Sequence, residues 1–199
     1  MDRSMRWQRA FLIAGMSIVV AGLVAAVVIV LVLLVFSDDS NMAKDLVGKA
    51  MPHMAIVQQK IEDLAPQINN LIENTPDVES EAAYQNVIAP IRAQVQAIDS
   101  ELDTATISYD QMNGLKGLQD YKDYARVAMD LVRNDHTLTA QVNYYLDDML
   151  EAARNSGGPA YIDPSSYTIR SSSFITMFNG LRGDAATLKE KADKMRATL

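Results

Sequence analysis

The chain has 199 residues, 18 basic and 25 acidic side chains, two histidines and no cysteine. A balance of −7 argues against nucleic acid as a partner, because a polyanion needs a basic surface. Without cysteine there is no disulfide, no thiolate metal site and no lipid attached through sulfur.

Arg3, Arg6 and Arg9 open the chain against a single acid, Asp2. Residues 10–36 follow, AFLIAGMSIVVAGLVAAVVIVLVLLVF, 27 positions with no charge, proline, Asn or Gln. About 20 apolar residues in a helix cross the hydrocarbon core of a bilayer, so the stretch predicts a transmembrane helix with some tilt. Basic residues beside a span stay on the cytoplasmic side. Residues 1–9 are therefore expected to form a cytoplasmic tail, with residues 37–199 on the far side. The rival reading, a cleaved signal peptide, calls for an apolar core of about 7–15 residues and a small-x-small cleavage site. Here the run is longer and ends Val35-Phe36-Ser37-Asp38. Within it Gly15, Ser17, Ala21, Gly22, Ala25 and Ala26 put small side chains at helical spacing, which lets a second membrane helix approach closely. Gly and Ala are also common in such helices without any partner.

With the tail set aside, 15 basic and 24 acidic residues remain, a balance of −9, which disfavours anionic headgroups as well as nucleic acid. No Asn-x-Ser/Thr acceptor occurs. Together with the missing cysteines, this points to the bacterial inner membrane and a domain facing the periplasm.

Four stretches then carry apolar residues alternately three and four apart, the period of helices packed along a left-handed seam. The first runs from Val47 through Val57 and Leu64 to Leu71, the second from Tyr84 through Val95 to Ala105. The third runs from Leu118 through Val132 and Val142 to Ala153, the fourth from Phe174 through Ala185 to Leu199. Thr75-Pro76-Asp77 reads as a cap, a first-position proline and a first-turn acid. Ser108 with Gln111 matches a capping box. Asn155-Ser156-Gly157-Gly158-Pro159 is a helix stop, and Ser171 to Ser173 offer caps for the last helix. The helices are expected at 41–74, 76–104, 109–155 and 173–198. The third would then be about 70 Å long, overhanging or broken. Pro52, Pro66 and Pro90 lie inside helices and predict kinks. Short connections make neighbours antiparallel. The expected fold is all-α, one transmembrane helix followed by an up-down-up-down four-helix bundle. In outline this geometry resembles the periplasmic four-helix bundles of bacterial chemoreceptors, whose chains continue into a second span and a cytoplasmic rod. This chain stops at Leu199 and carries no motif of that family.

Chemistry-bearing candidates are few. His53 and His136 have no ligand spacing, so no metal site is expected. Asp147, Asp148 and Glu151 suit acid–base work if buried and a solvated helix face if not. No phosphate loop, no Gly-x-Ser-x-Gly and no activated nucleophile occurs, so no enzyme and no cofactor are expected. Asp135 and Thr139 occupy seam positions of the third helix, where a polar residue either sets register or marks where the helix leaves the bundle. The stretch 156–172 is long for a loop and carries Tyr161, Ile162, Tyr167, Ile169 and Arg170. These residues form either a partner contact, since Tyr and Arg anchor interfaces, or a lid over the bundle's end. The expected function is a non-enzymatic, single-pass membrane scaffold or adaptor in a bacterial envelope complex of secretion or transport type. Its partners are the lipid bilayer and other membrane or periplasmic proteins, a second copy included. The alternative is a four-helix module that senses a small ligand through a partner receptor, with Arg92, Arg126 or Arg133 pairing a ligand carboxylate.

Overall fold

The computed structural model describes residues 39–199 with their side chains and, for residues 3–38, the helical backbone alone. The elements are α1 (Arg3–Asn74), a 3-10 turn (Thr75–Asp77), α2 (Glu81–Gly114), α3 (Gln119–Ser156), a second 3-10 turn (Pro159–Tyr161) and α4 (Pro164–Arg196). The protein is all-helical, and no strand occurs among the described residues. Two compact units divide the chain, residues 1–42 and residues 43–199. The helical bundle is the second. Among the residues described with side chains, no helix is long and apolar enough to cross a membrane. The stretch 10–36, with Gly15, Ser17, Ala21, Gly22, Ala25 and Ala26, lies outside them, as do Arg3, Arg6 and Arg9.

Within the bundle each helix runs antiparallel to the next. Gln67 of α1 meets Gln94 of α2, while His53 meets Glu101. Arg92 of α2 meets Asp147 of α3, while His136 meets Asp99. Tyr145 of α3 meets Ser171 of α4, while Asn134 meets Leu181. The ring closes between α4 and α1, where Tyr167 donates to the Ile72 carbonyl near one end and Arg196 approaches Met51 near the other. The expected apolar stripes point inward: Leu64, Ile68, Val95, Ile98, Leu102, Leu138, Val142 and Leu146 are all fully buried. Aromatic pairs clamp both ends of α3. Tyr145 stacks on Phe174 with ring centroids 4.2 Å apart, and Tyr124 meets Tyr109 edge-on at 6.1 Å. Such pairs add about 0.5–1.5 kcal/mol beyond the burial of their area.

Several helix boundaries differ from the sequence expectation. The second helix does not stop at 104, because the stripe that ends in Leu102 and Ala105 continues through Tyr109 and Met112, both buried. Burying two large side chains outweighs a capping box worth about 1 kcal/mol, and Ser108 is buried within the helix. The break falls instead at Gly114 to Leu118. Gly117 (φ 70°) and Leu118 (φ 50°) are both left-handed, the first without penalty. The second is held by its packing on the core. As a result α2, α3 and α4 have 34, 38 and 33 residues, or about 51, 57 and 50 Å, and the expected overhang of α3 disappears.

Thr75 caps nothing downstream. It is buried and donates its hydroxyl to the Leu71 carbonyl at 2.6 Å, while Ser80 caps α2 by accepting from the Ala83 amide at 3.2 Å. The helix α4 begins at Pro164, not at Ser173. Asp163 caps it by accepting from the Ser166 amide at 2.9 Å, so the connection shrinks to residues 157–163. The Ser165 hydroxyl and that amide hold the Asp163 carboxyl below its usual range. Pro52, Pro66 and Pro90 interrupt no helix. All three face solvent, as do Gly48, Glu62 and Asn86, whose carbonyls they release from helical bonding, so water satisfies the freed groups.

The two turns at one end of the bundle are tied together. The Ala160 amide donates to the Val78 carbonyl at 2.9 Å, and Gly158 packs so tightly that an added Cβ would lie 2.1 Å from the Glu79 carbonyl oxygen. Gly158→Ala is expected to lower stability by at least about 2 kcal/mol in urea or thermal unfolding, because backbone must move to admit it. Gly180→Ala, with open space around its Cβ inside α4, is expected to raise it by about 0.5–1 kcal/mol. Equal responses would refute the tied-turn account.

Candidate functional site

In its first half α4 buries Phe174 and Phe178; in its second half the buried residues are Ala185 and Ala192. Alanines reach less far than phenylalanines, so α4 stands off from α1 there. The result is a cleft of about 680 Å³, bounded by Gln58, Ile61 and Glu62 of α1 and by α4 from Arg182 to Ala197. A second cavity of about 370 Å³ adjoins it, lined by Met51, Met54, Tyr109, Tyr124, Leu131 and Ala192 among others. Gln58, Glu62, Lys189 and Asp193 line both. Each volume suits a small molecule.

Charges around the cleft are unequally matched. Lys189 lies 3.1 Å from Asp193, Arg196 3.2 Å from the same carboxylate, and Lys194 2.5 Å from Glu190. The Arg182 guanidinium sits 5.9 Å from the centre of the Phe178 ring, a cation–π distance. Glu62 has no cationic partner among the described residues.

Asp135 lies on α3 one turn beyond Leu131 and lines neither cavity. It is wholly buried. The Gln58 side-chain amide donates to its Oδ2 at 3.2 Å, while Oδ1 has no partner. Burial pushes this carboxyl up to about 7, against the pull of the Asn134 and Gln58 amides. The neighbouring polar residues tie α3 to the other helices at the same level. Asn134 donates to the Leu181 carbonyl of α4 at 2.9 Å. Thr139, also buried, donates to Asp99 of α2 at 2.6 Å. His136 Nδ1 lies 3.2 Å from Asp99 and its Nε2 3.6 Å from Asp103. Of the two readings of the seam residues, departure from the bundle drops out: Asp135 and Thr139 sit inside it, each bonded to a neighbouring helix.

The other candidates are dispersed. Asp147 pairs with Arg92 at 2.5 Å, and Asp148 pairs with Arg170. Arg126 and Arg133 pair with Asp123 and Asp130 on their own helix at 3.1 and 3.0 Å. The three arginines considered for a ligand carboxylate thus already face protein carboxylates. The stretch 156–172 divides in two. Ile162 is buried, Tyr167 donates to the Ile72 carbonyl, and Arg170 is held by Asp148, so these close the bundle's end. Tyr161 and Ile169 remain 63% and 65% exposed, with Tyr144 of α3 at 69%. Among the described residues no group of three or more His, Asp or Glu side chains is placed to hold a metal ion.

The cleft escaped the sequence reading. Its available signal was the change from Phe174 and Phe178 to Ala185 and Ala192 along the stripe of α4. No family model matches this chain, nor does any curated protein or any solved structure.

The Asp135 carboxyl sits above its unfolded value of 3.8, so the folded state holds the proton more tightly. This contribution is whole below pH 3.8 and is lost as pH rises to about 7, by up to about 1.4 kcal/mol per pH unit. Asp135→Asn is expected to remove that decline, so that its stability advantage over the wild type grows between about pH 4 and 7 and is level above. Parallel curves for the two proteins would contradict it.

Proposed function

We propose that the chain is a non-enzymatic, single-pass scaffold or adaptor of the bacterial inner membrane, with residues 1–9 cytoplasmic and the bundle in the periplasm. The observation that carries this reading is the junction of two dissimilar parts: an uncharged apolar stretch at residues 10–36, preceded by three arginines, and a helical unit with its own closed core at residues 43–199. The first suits an anchor. The second suits a rigid display platform, because its connections are short and its four helices are tied to one another. Two surfaces are open to other proteins of a secretion or transport assembly. One is the small-residue face of the span formed by Gly15, Gly22 and Ala26, beside the stripe of Ser17, Ala21 and Ala25, where another membrane helix packs. The other is the set of exposed apolar side chains Tyr144, Tyr161 and Ile169 in the half of the bundle away from residue 43.

The test is isolation of the full-length protein from its native membrane in mild detergent, with mass spectrometry of whatever accompanies it. A defined set of membrane proteins is expected. Changing Gly15, Gly22 and Ala26 together to leucine should reduce their recovery by about tenfold, equivalent to about 1.4 kcal/mol of packing. A partner-free protein would overturn the scaffold reading, and recovery unaffected by the leucines would remove the span face from it.

A further inference from the structure

We propose that the second cavity, reached through the cleft between α1 and α4, binds an uncharged aromatic molecule the size of a fused ring pair. This cavity is a hollow of the core rather than a furrow between two helices. Met51 and Met54 of α1, Tyr109 of α2, Tyr124 and Leu131 of α3 and Ala192 of α4 all line it, and all but Met51 are buried. It exists because α4 carries Ala192 here, whereas its first half fills the same seam with Phe174 and Phe178. An apolar cavity of about 150 Å³ takes up benzene, so the 370 Å³ of this one has room for a fused ring pair with a short substituent. Gln58, Glu62, Lys189 and Asp193 line both the cavity and the larger cleft, which makes the cleft the way in.

The walls select the class of ligand. The charged residues around the two cavities are Arg182, Lys189, Lys194 and Arg196 against Glu62, Glu190 and Asp193, close to balance. Lys189 and Arg196 meet Asp193 and Lys194 meets Glu190, in pairs whose side chains are all at least 36% exposed. These charges form a wet rim that satisfies itself. An ion passing it would exchange water for ring, thioether and methyl groups, a costly transfer. The Tyr109 and Tyr124 hydroxyls add no charge at neutral pH, because burial raises them further above it. The aromatic preference comes from the same residues. Tyr109 and Tyr124 already meet edge-on, an arrangement that a further ring extends. Met51 and Met54 contribute thioether sulfurs, which favour the edges of rings and adapt to their outline.

The experiment uses the full-length protein in mild detergent at pH 7, its methionine methyl groups labelled with carbon-13, titrated with 2-naphthylmethanol and followed by NMR. The Met51 and Met54 methyl signals are expected to shift saturably, while Met149, buried in the other half of the bundle, stays in place. The charged analogues 2-naphthoate and 2-naphthylmethylamine, and the aliphatic 1-octanol, should each bind at least about tenfold more weakly. Ala192→Leu fills the cavity from α4, and Ala55→Leu narrows it from an exposed position on α1, where the fold tolerates added volume. Each should weaken binding of the neutral alcohol at least about tenfold. No saturable shift, an equal shift at Met149, binding as tight by either charged analogue or by 1-octanol, or an undiminished response in the Ala55→Leu protein would each overturn the proposal. The result is independent of membrane anchoring, which stands or falls on the partner isolation.

Discussion

The bundle depends on the polar layer that α3 presents at its midpoint. Apolar stripes tell helices which faces to bury but discriminate weakly between one alignment and the next, since a shift by a turn leaves Leu against Ile or Val. Asn134, Asp135 and Thr139 remove that freedom. Within two turns of one helix they bond α4 through the Leu181 carbonyl, α1 through Gln58 and α2 through Asp99. A slip of α1 would take Gln58 from the buried Asp135 carboxyl, at a cost of about 1–3 kcal/mol; the half-buried Asn134, and Thr139, which also bonds the His136 carbonyl, would lose less. The Tyr109–Tyr124 and Tyr145–Phe174 pairs then complete the alignment near the two ends. The arrangement also has a cost of its own, because Asp135 carries an ionisable group where only one of its oxygens is matched.

Much of the fold is legible in the residues. The four stripes, the antiparallel order, the helix stop after Asn155 and the polar seam at Asp135 all follow from spacing, because a 3.5-residue period and short connections leave few other packings. What misleads is capping chemistry taken without burial. Ser108 and Gln111 satisfy the pattern of a helix start, yet Tyr109 and Met112 lie on the inward stripe and carry the helix through. Asp163-Pro164 is the start that matters, and it resembles Thr75-Pro76, where the chain makes only a 3-10 turn. Local sequence offers each pair the same option, and the contact between the two turns, Ala160 to Val78, decides how the chain uses it. The cleft lies deeper, since the separation of two helices is set by side chains across the interface that no single stretch reveals.

Function on this account divides along the same line as the structure. The uncharged stretch 10–36 supplies location, and the bundle supplies shape. Salt bridges on its surface are mostly exposed and contribute little each. Asp135 stands out among the charged residues because it is wholly buried. The exposed trio Tyr144, Tyr161 and Ile169 stands out similarly, as apolar area the bundle itself does not use.

The anchored, periplasm-facing arrangement is the claim on which the rest of the functional account stands, and the absence of native cysteine makes it directly measurable. Single cysteines are introduced as Ser4→Cys in the basic tail and Ser173→Cys on the exposed side of α4. Bacterial cells with a permeabilised outer membrane are then treated with a maleimide that cannot cross the inner membrane. The account predicts that the cysteine at position 173 is labelled at once and the one at position 4 only after the inner membrane is lysed. Labelling at position 4 but not 173 in unlysed cells, or of both alike, would contradict it.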